Sequence, residues 1–122
     1  MIESAMVFDD RGEVIAYHTP PGCTSGSIPD TRSLWEILWE HRAHLGGVAH
    51  VHPWNGEPHP STTDVTTFRA IENGLGKLLL WPVVTFDQVG VWVWDGPESG
   101  YIRETEWSIK IEGIEKLREL SR

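Results

Sequence analysis

Apolar positions along the chain recur with two periods, and the switches between them mark the elements. ESAMVF and EVIAYH are short runs dense in apolar and β-favouring residues, separated by the turn-forming DDRG, so the pattern predicts a β-hairpin. TPPGCTSGSIPD follows, crowded with Pro, Gly, Ser and Thr, and reads as a surface loop. From Thr31 to Leu45, Leu34, Leu38 and Leu45 recur at helical spacing, with Trp35 and Trp39 as a second row. Asp30 suits the N-cap of this helix and Gly46 its end. GGVAHVH is a short apolar strand, and a loop from Pro53 to Pro60 leads to Ser61, which opens a second helix running to about Asn73 and closed by NGLG. KLLLWPVVTF and VGVWVW then form two strands around a DQ turn. Val89, Val91 and Val93 alternate with Trp92 and Trp94, which implies cover on both faces. Ile111, Ile114, Leu117 and Leu120, spaced by three, suit a last amphipathic helix that Gly113 weakens. The order β, β, α, β, α, β, β, α predicts an α/β fold, a mixed sheet with helices packed on it.

Composition narrows the function classes. At 122 residues the chain is read as one domain, residues 1–122, able to hide roughly two thirds of its unfolded surface and so to hold its own core. A formal net charge of -8 repels phosphate backbones, and no basic patch offsets it, so nucleic-acid binding is not expected. One cysteine, Cys23, excludes an internal disulfide and any zinc site built from paired cysteines, and fits a reducing compartment such as the cytoplasm. No apolar run approaches the roughly 20 residues that span a bilayer, and MIESAMVFDD lacks the pattern of a secretion signal, so a soluble protein is expected. The seven tryptophans are many for this length and point to a contact surface for a partner or a second copy.

The stretch HVHPWNGEPHPSTTDV carries the candidate chemistry. Side chains two apart on a strand share a face, so His50 and His52 project together, roughly 7 Å apart at the backbone. Asp64, in the first turn of a helix capped by Ser61, is favoured there by the helix dipole and can reach toward the strand end. Two nitrogens and one oxygen make the three-ligand set of a catalytic zinc, with a fourth position for water. That water needs a carboxylate base off the metal, and a hydroxyl such as that of Ser61 is placed to steady a developing oxyanion. Each piece has a plainer reading. A Ser three before an Asp is also a capping box, and His-x-His on a strand is commonly surface or packing. The conjunction of all of them between His50 and Asp64 favours the metal.

His50, His52, Pro53, Ser61 and Asp64 resemble the signature of the JAMM (MPN-plus, JAB domain) metalloproteases: an upstream glutamate, His-x-His-Pro, then Ser-x-x-Asp. The resemblance runs from Glu3 to about Trp94. It implies a fold similar to cytidine deaminases, a curved mixed sheet flanked by helices, with Zn2+ on His50, His52 and Asp64. It also implies that Glu3, at the start of the first strand, is the general base; Glu36, Glu40 and Glu57 are fallback candidates. Members include isopeptidases and small bacterial proteins acting on ubiquitin-like or sulfur-carrier proteins, often after a Gly-Gly tail, so a protein or peptide substrate is implied.

Three departures stand out. The loop Pro53 to Pro60 holds eight residues where the family has seven, Val51 replaces a small polar residue, and no helix precedes the glutamate, which implies a frayed base. Two alternatives stay open: an MPN-type binding or assembly module without activity, and a RadC-like nucleic-acid-associated protein, suggested by HPWNGEPHPS but opposed by the charge. Deaminases that need a Cys-x-x-Cys pair and barrel amidohydrolases of about 250 residues are excluded by count. Among other positions, His59 is read as a solvated loop residue, His41 and His44 as surface residues and His18 as a distraction, while Trp54 either lines a groove or packs under the loop.

Overall fold

A computed structural model describes residues 1–122. The elements run β1 (Ala5–Asp9), β2 (Val14–His18), α1 (Arg32–Glu40), β3 (Leu45–Val51), α2 (Thr62–Leu75), β4 (Trp81–Val84), β5 (Val89–Trp94), β6 (Tyr101–Glu104) and α3 (Ile114–Leu120). The strands form one mixed sheet in the order β2-β1-β3-β4-β5-β6. Only β3 and β4 are parallel, and the crossover between them is α2. The fold is thus α/β with a six-stranded mixed sheet and three helices. No helix is long and apolar enough to cross a membrane.

Alternation along the strands divides the core between the two faces of the sheet. Ala5 and Val7 of β1, with Val48, Trp81 and Val83, pack on one face against Leu38 of α1 and Phe68 of α2. Met6 and Phe8, with Ala49, Val51 and Val84, pack on the other against Leu117 of α3. β1, β3 and β4 are therefore buried on both sides, which explains why they read as near-continuous apolar runs. β5 too has no exposed residue, as its Val/Trp alternation implied.

Three boundaries and one strand differ from the sequence reading. α1 ends at Glu40 rather than Leu45: His41 to Ala43 turn in solvent, and Leu45 is drawn into the core as the first residue of β3. Its N-cap is Thr31, not Asp30, because the Thr31 hydroxyl accepts the Leu34 N–H. The last helix starts at Ile114, because Gly113 takes a left-handed φ of 80° and serves as the N-cap. β6 went unforeseen: YIRE carries no clear alternation, and its place comes from pairing along β5, with Trp94 opposite Tyr101.

Candidate metal centre

The register of β1 on β3 sets the site. Ala5 lies opposite His50 in this antiparallel pair, and the ladder continues outward through the Val51 N–H, which donates to Ser4 O at 2.9 Å. Two residues beyond Ala5, the same register sets Glu3 across from His52. Glu3 shares the face of Ala5 and Val7, and the two histidines share the face of Val48, so all three side chains point to the α1/α2 side. His52 lies past the end of β3 but is still held, its N–H donating to Val84 O at 2.8 Å.

The loop that follows is pinned at four points to β4, β5 and their connecting turn. Phe86 N–H donates to Trp54 O (2.9 Å), Gly56 N–H to Asp87 Oδ1 (2.9 Å), Thr85 Oγ1 to Gly56 O (2.8 Å) and Trp92 Nε1 to Pro58 O (2.9 Å). These bonds deliver the chain to Ser61. There the capping box closes: Asp64 N–H donates to Ser61 Oγ (3.0 Å) and Ser61 N–H to Asp64 Oδ2 (2.8 Å). The box does not use up Asp64, because the same Oδ2 also faces both imidazoles.

His50 Nε2 and His52 Nε2 lie 3.0 Å apart, and each lies 3.1 Å from Asp64 Oδ2. An N–H from each imidazole to Asp64 Oδ2 accounts for two edges of this triangle but not for the third, the 3.0 Å approach of the two Nε2 atoms, since one N–H cannot point along two edges about 60° apart. A cation could sit among the three atoms: bonds of about 2.0–2.2 Å in tetrahedral geometry would set ligand atoms roughly 3.3–3.6 Å apart, a few tenths of an ångström beyond the observed edges. Two imidazoles and a carboxylate suit zinc in particular. Glu3 completes a group of four whose ligand atoms lie within 4.8 Å of one another, but it stands back, with Oε1 4.0 Å from His52 Nε2.

Both histidines and Glu3 are buried, and Asp64 is half-buried. Burial pushes the Glu3 carboxyl above its ordinary value of 4.5, opposed by His50 and His52 and reinforced by the Asp64 charge. Burial alone would raise Asp64 too, but hydrogen bonds from His50, His52 and the Ser61 N–H hold it well below the usual carboxylate range. A raised base beside a firmly ionised ligand is the arrangement in which one carboxyl moves protons and the other holds charge. His52 Nδ1 is buried with no hydrogen-bond partner. Its ring is braced instead by Trp54, whose centroid lies 4.7 Å away and whose side chain is 46% exposed, so Trp54 forms the rim of the site.

The remaining candidates lie outside the cluster. Ser61 is exposed at the helix cap; its Oγ contacts Asp64 N and neither histidine. Glu36, Glu40 and Glu57 are exposed, with Glu57 paired to Arg103 at 3.3 Å. His41 and His44 are exposed. His18 is buried against Thr31 Oγ1 at 3.1 Å, and its burial lowers its pKa. His59 is exposed, its ring edge-on to Trp92.

The expected fraying of Glu3 is corrected by the packing around it. Glu3 N–H donates to Thr24 O (2.7 Å), Ile2 N–H donates to Ser121 O (3.1 Å), and the hydroxyls of Ser4 and Ser121, both fully buried, bond each other. α3 and the loop after β2 thus hold the start of the chain in place, a role that no local pattern around Thr24 or Ser121 announces. Compared with known proteins, the chain matches no protein-family model and none of the curated proteins.

Proposed function

We propose that the protein is a zinc-dependent peptidase or isopeptidase of the JAMM type, with the cytidine-deaminase-like arrangement of sheet and helices that this family has. The observation that carries the reading is the triangle of His50 Nε2, His52 Nε2 and Asp64 Oδ2 with the buried Glu3 carboxyl just behind it. Zinc held by His50, His52 and Asp64 would supply Lewis acidity there, which lowers the pKa of a bound water to roughly 7 and polarises a carbonyl. Glu3 takes a proton from the water and returns it to the departing amine, a transfer suited to a carboxyl whose pKa lies above the ordinary range. Ser61 Oγ already accepts the Asp64 N–H, which leaves its own proton to donate to the oxyanion. The substrate is a polypeptide; the tails of ubiquitin-like or sulfur-carrier proteins are the class that the family resemblance implies.

A second reading, a binding or assembly module, is favoured by one observation. Trp35 and Trp39 are exposed on α1 and stacked with centroids 6.0 Å apart, and Arg42 lies over Trp39. One experiment separates the two. Purified protein is assayed for metal content and for hydrolysis of a panel of tailed peptide and isopeptide substrates, beside Glu3→Gln. The hydrolase reading expects stoichiometric zinc, cleavage by the wild type and a loss of about 10²–10⁴-fold in the variant. Stoichiometric zinc with no cleavage and no effect of the substitution establishes the module.

A further inference from the structure

A cavity of about 130 Å³ opens directly beside the metal cluster, and the proposed chemistry does not use it. Glu3, His50 and Asp64 form its polar end. From there it runs between the sheet and α2, floored by Ala5, Val48 and Trp81 and walled by Phe68 and Ile71, with Ile28 and Pro29 of the loop after β2 closing over it. Apart from the cluster itself the only charge on its lining is Asp30, exposed at the surface. Leu34, Thr67 and Ile71 also line the open groove between α1 and α2, so the cavity adjoins that groove.

We infer that this cavity is a specificity pocket for an apolar side chain of the polypeptide substrate, on a residue adjoining the bond that is cut. The inference rests on the hydrolase reading for the word substrate, and on the cavity alone for the chemistry of what enters it. Its size sets the class: an apolar cavity of roughly 150 Å³ admits benzene, so one of 130 Å³ takes a leucine, methionine or phenylalanine side chain. A charged group that passed the exposed Asp30 and went deeper would lose its hydration against Phe68 and Trp81. Two glycines would leave it unfilled. The pocket therefore points away from a Gly-Gly tail and toward a bulky apolar residue next to the cleavage point, the reverse of the preference that a narrow groove would impose.

Discrimination of this kind is worth roughly 10–200-fold per buried methylene-sized difference, and more for a whole side chain. The test uses acetylated, amidated pentapeptides of alanine with Gly, Leu, Phe or Lys at the centre. Their binding to zinc-loaded Glu3→Gln protein is measured by calorimetry, and their cleavage by the zinc-loaded wild type is followed in parallel. The expected result is binding of the Leu and Phe peptides at least 10-fold tighter than the Gly and Lys peptides. Thr67→Trp, at an exposed position on the cavity lining, should erase that difference, with zinc content and the folded far-UV spectrum retained. Equal binding of all four peptides, no binding of any, or a preference that survives Thr67→Trp overturns the pocket. Apolar preference in binding without cleavage of any peptide upholds the pocket and overturns the hydrolase reading; cleavage without side-chain preference does the opposite.

Discussion

If the protein is the proposed hydrolase, Glu3 is the residue on which stability and chemistry pull in opposite directions. A carboxyl with a folded pKa raised above its ordinary 4.5 prefers to be neutral, so its contribution to stability is full below that value and is lost as pH rises through the folded value. Glu3→Gln removes the cost of the buried charge. The metal-free variant should therefore be more stable than the wild type at pH 7 and equal to it near pH 4, while hydrolysis falls by about 10²–10⁴-fold. Denaturant melts at the two pH values and a turnover assay check the pair of effects together. Asp64 has the opposite sign. Its folded pKa is depressed, so its contribution is present above the unfolded value and is lost as pH falls toward the folded one. Asp64→Ala also opens the capping box of α2, which costs about 1 kcal/mol even without metal. Asp64→Asn keeps a capping side chain and should lose zinc with a smaller change in metal-free stability, measured by elemental analysis and a urea melt.

At the scale of elements, α3 supports the site without touching the cluster. Leu117 is fully buried on the face of the sheet away from the metal, and the turn after it, through Ser121, holds Ile2 and Ser4 on either side of Glu3 in sequence. Leu117→Ala should cost about 2–5 kcal/mol. Gly113→Ala should cost about 1–3 kcal/mol, because a left-handed φ of 80° is strained for alanine and its Cβ would press on Tyr17, Val14 and Met6. In both, kcat should fall with retained zinc, since the base loosens while the ligands stay; metal content and kinetics on one preparation check this. These contacts also mark where sequence reading stops. His50, His52 and Asp64 lie within one strand, loop and helix start, so their convergence is legible from local periodicity and from the Ser61 cap. Glu3 joins them only through the β1/β3 register, and its anchors Thr24 and Ser121 only through tertiary packing, which a period in the sequence does not encode. α1 was read too long for a related reason: Leu45 fits the helical spacing equally well, but burial in β3 outweighs propensity.

For the molecule as a whole, the sheet brings the two ends of the chain together and builds the site where they meet, at the outer end of β3 and the first turn of α2. Metal binding and folding are then linked. Zinc that binds only the folded state at 100 times its Kd stabilises it by about 2.7 kcal/mol, so the melting temperature should rise with zinc and fall back with chelator. The most direct check on the account is anomalous scattering at the zinc edge from a crystal grown with zinc. One strong peak is expected at about 2.0–2.2 Å from His50 Nε2, His52 Nε2 and Asp64 Oδ2, with the Glu3 carboxylate outside bonding distance. A peak elsewhere, or none between those three atoms, would contradict it.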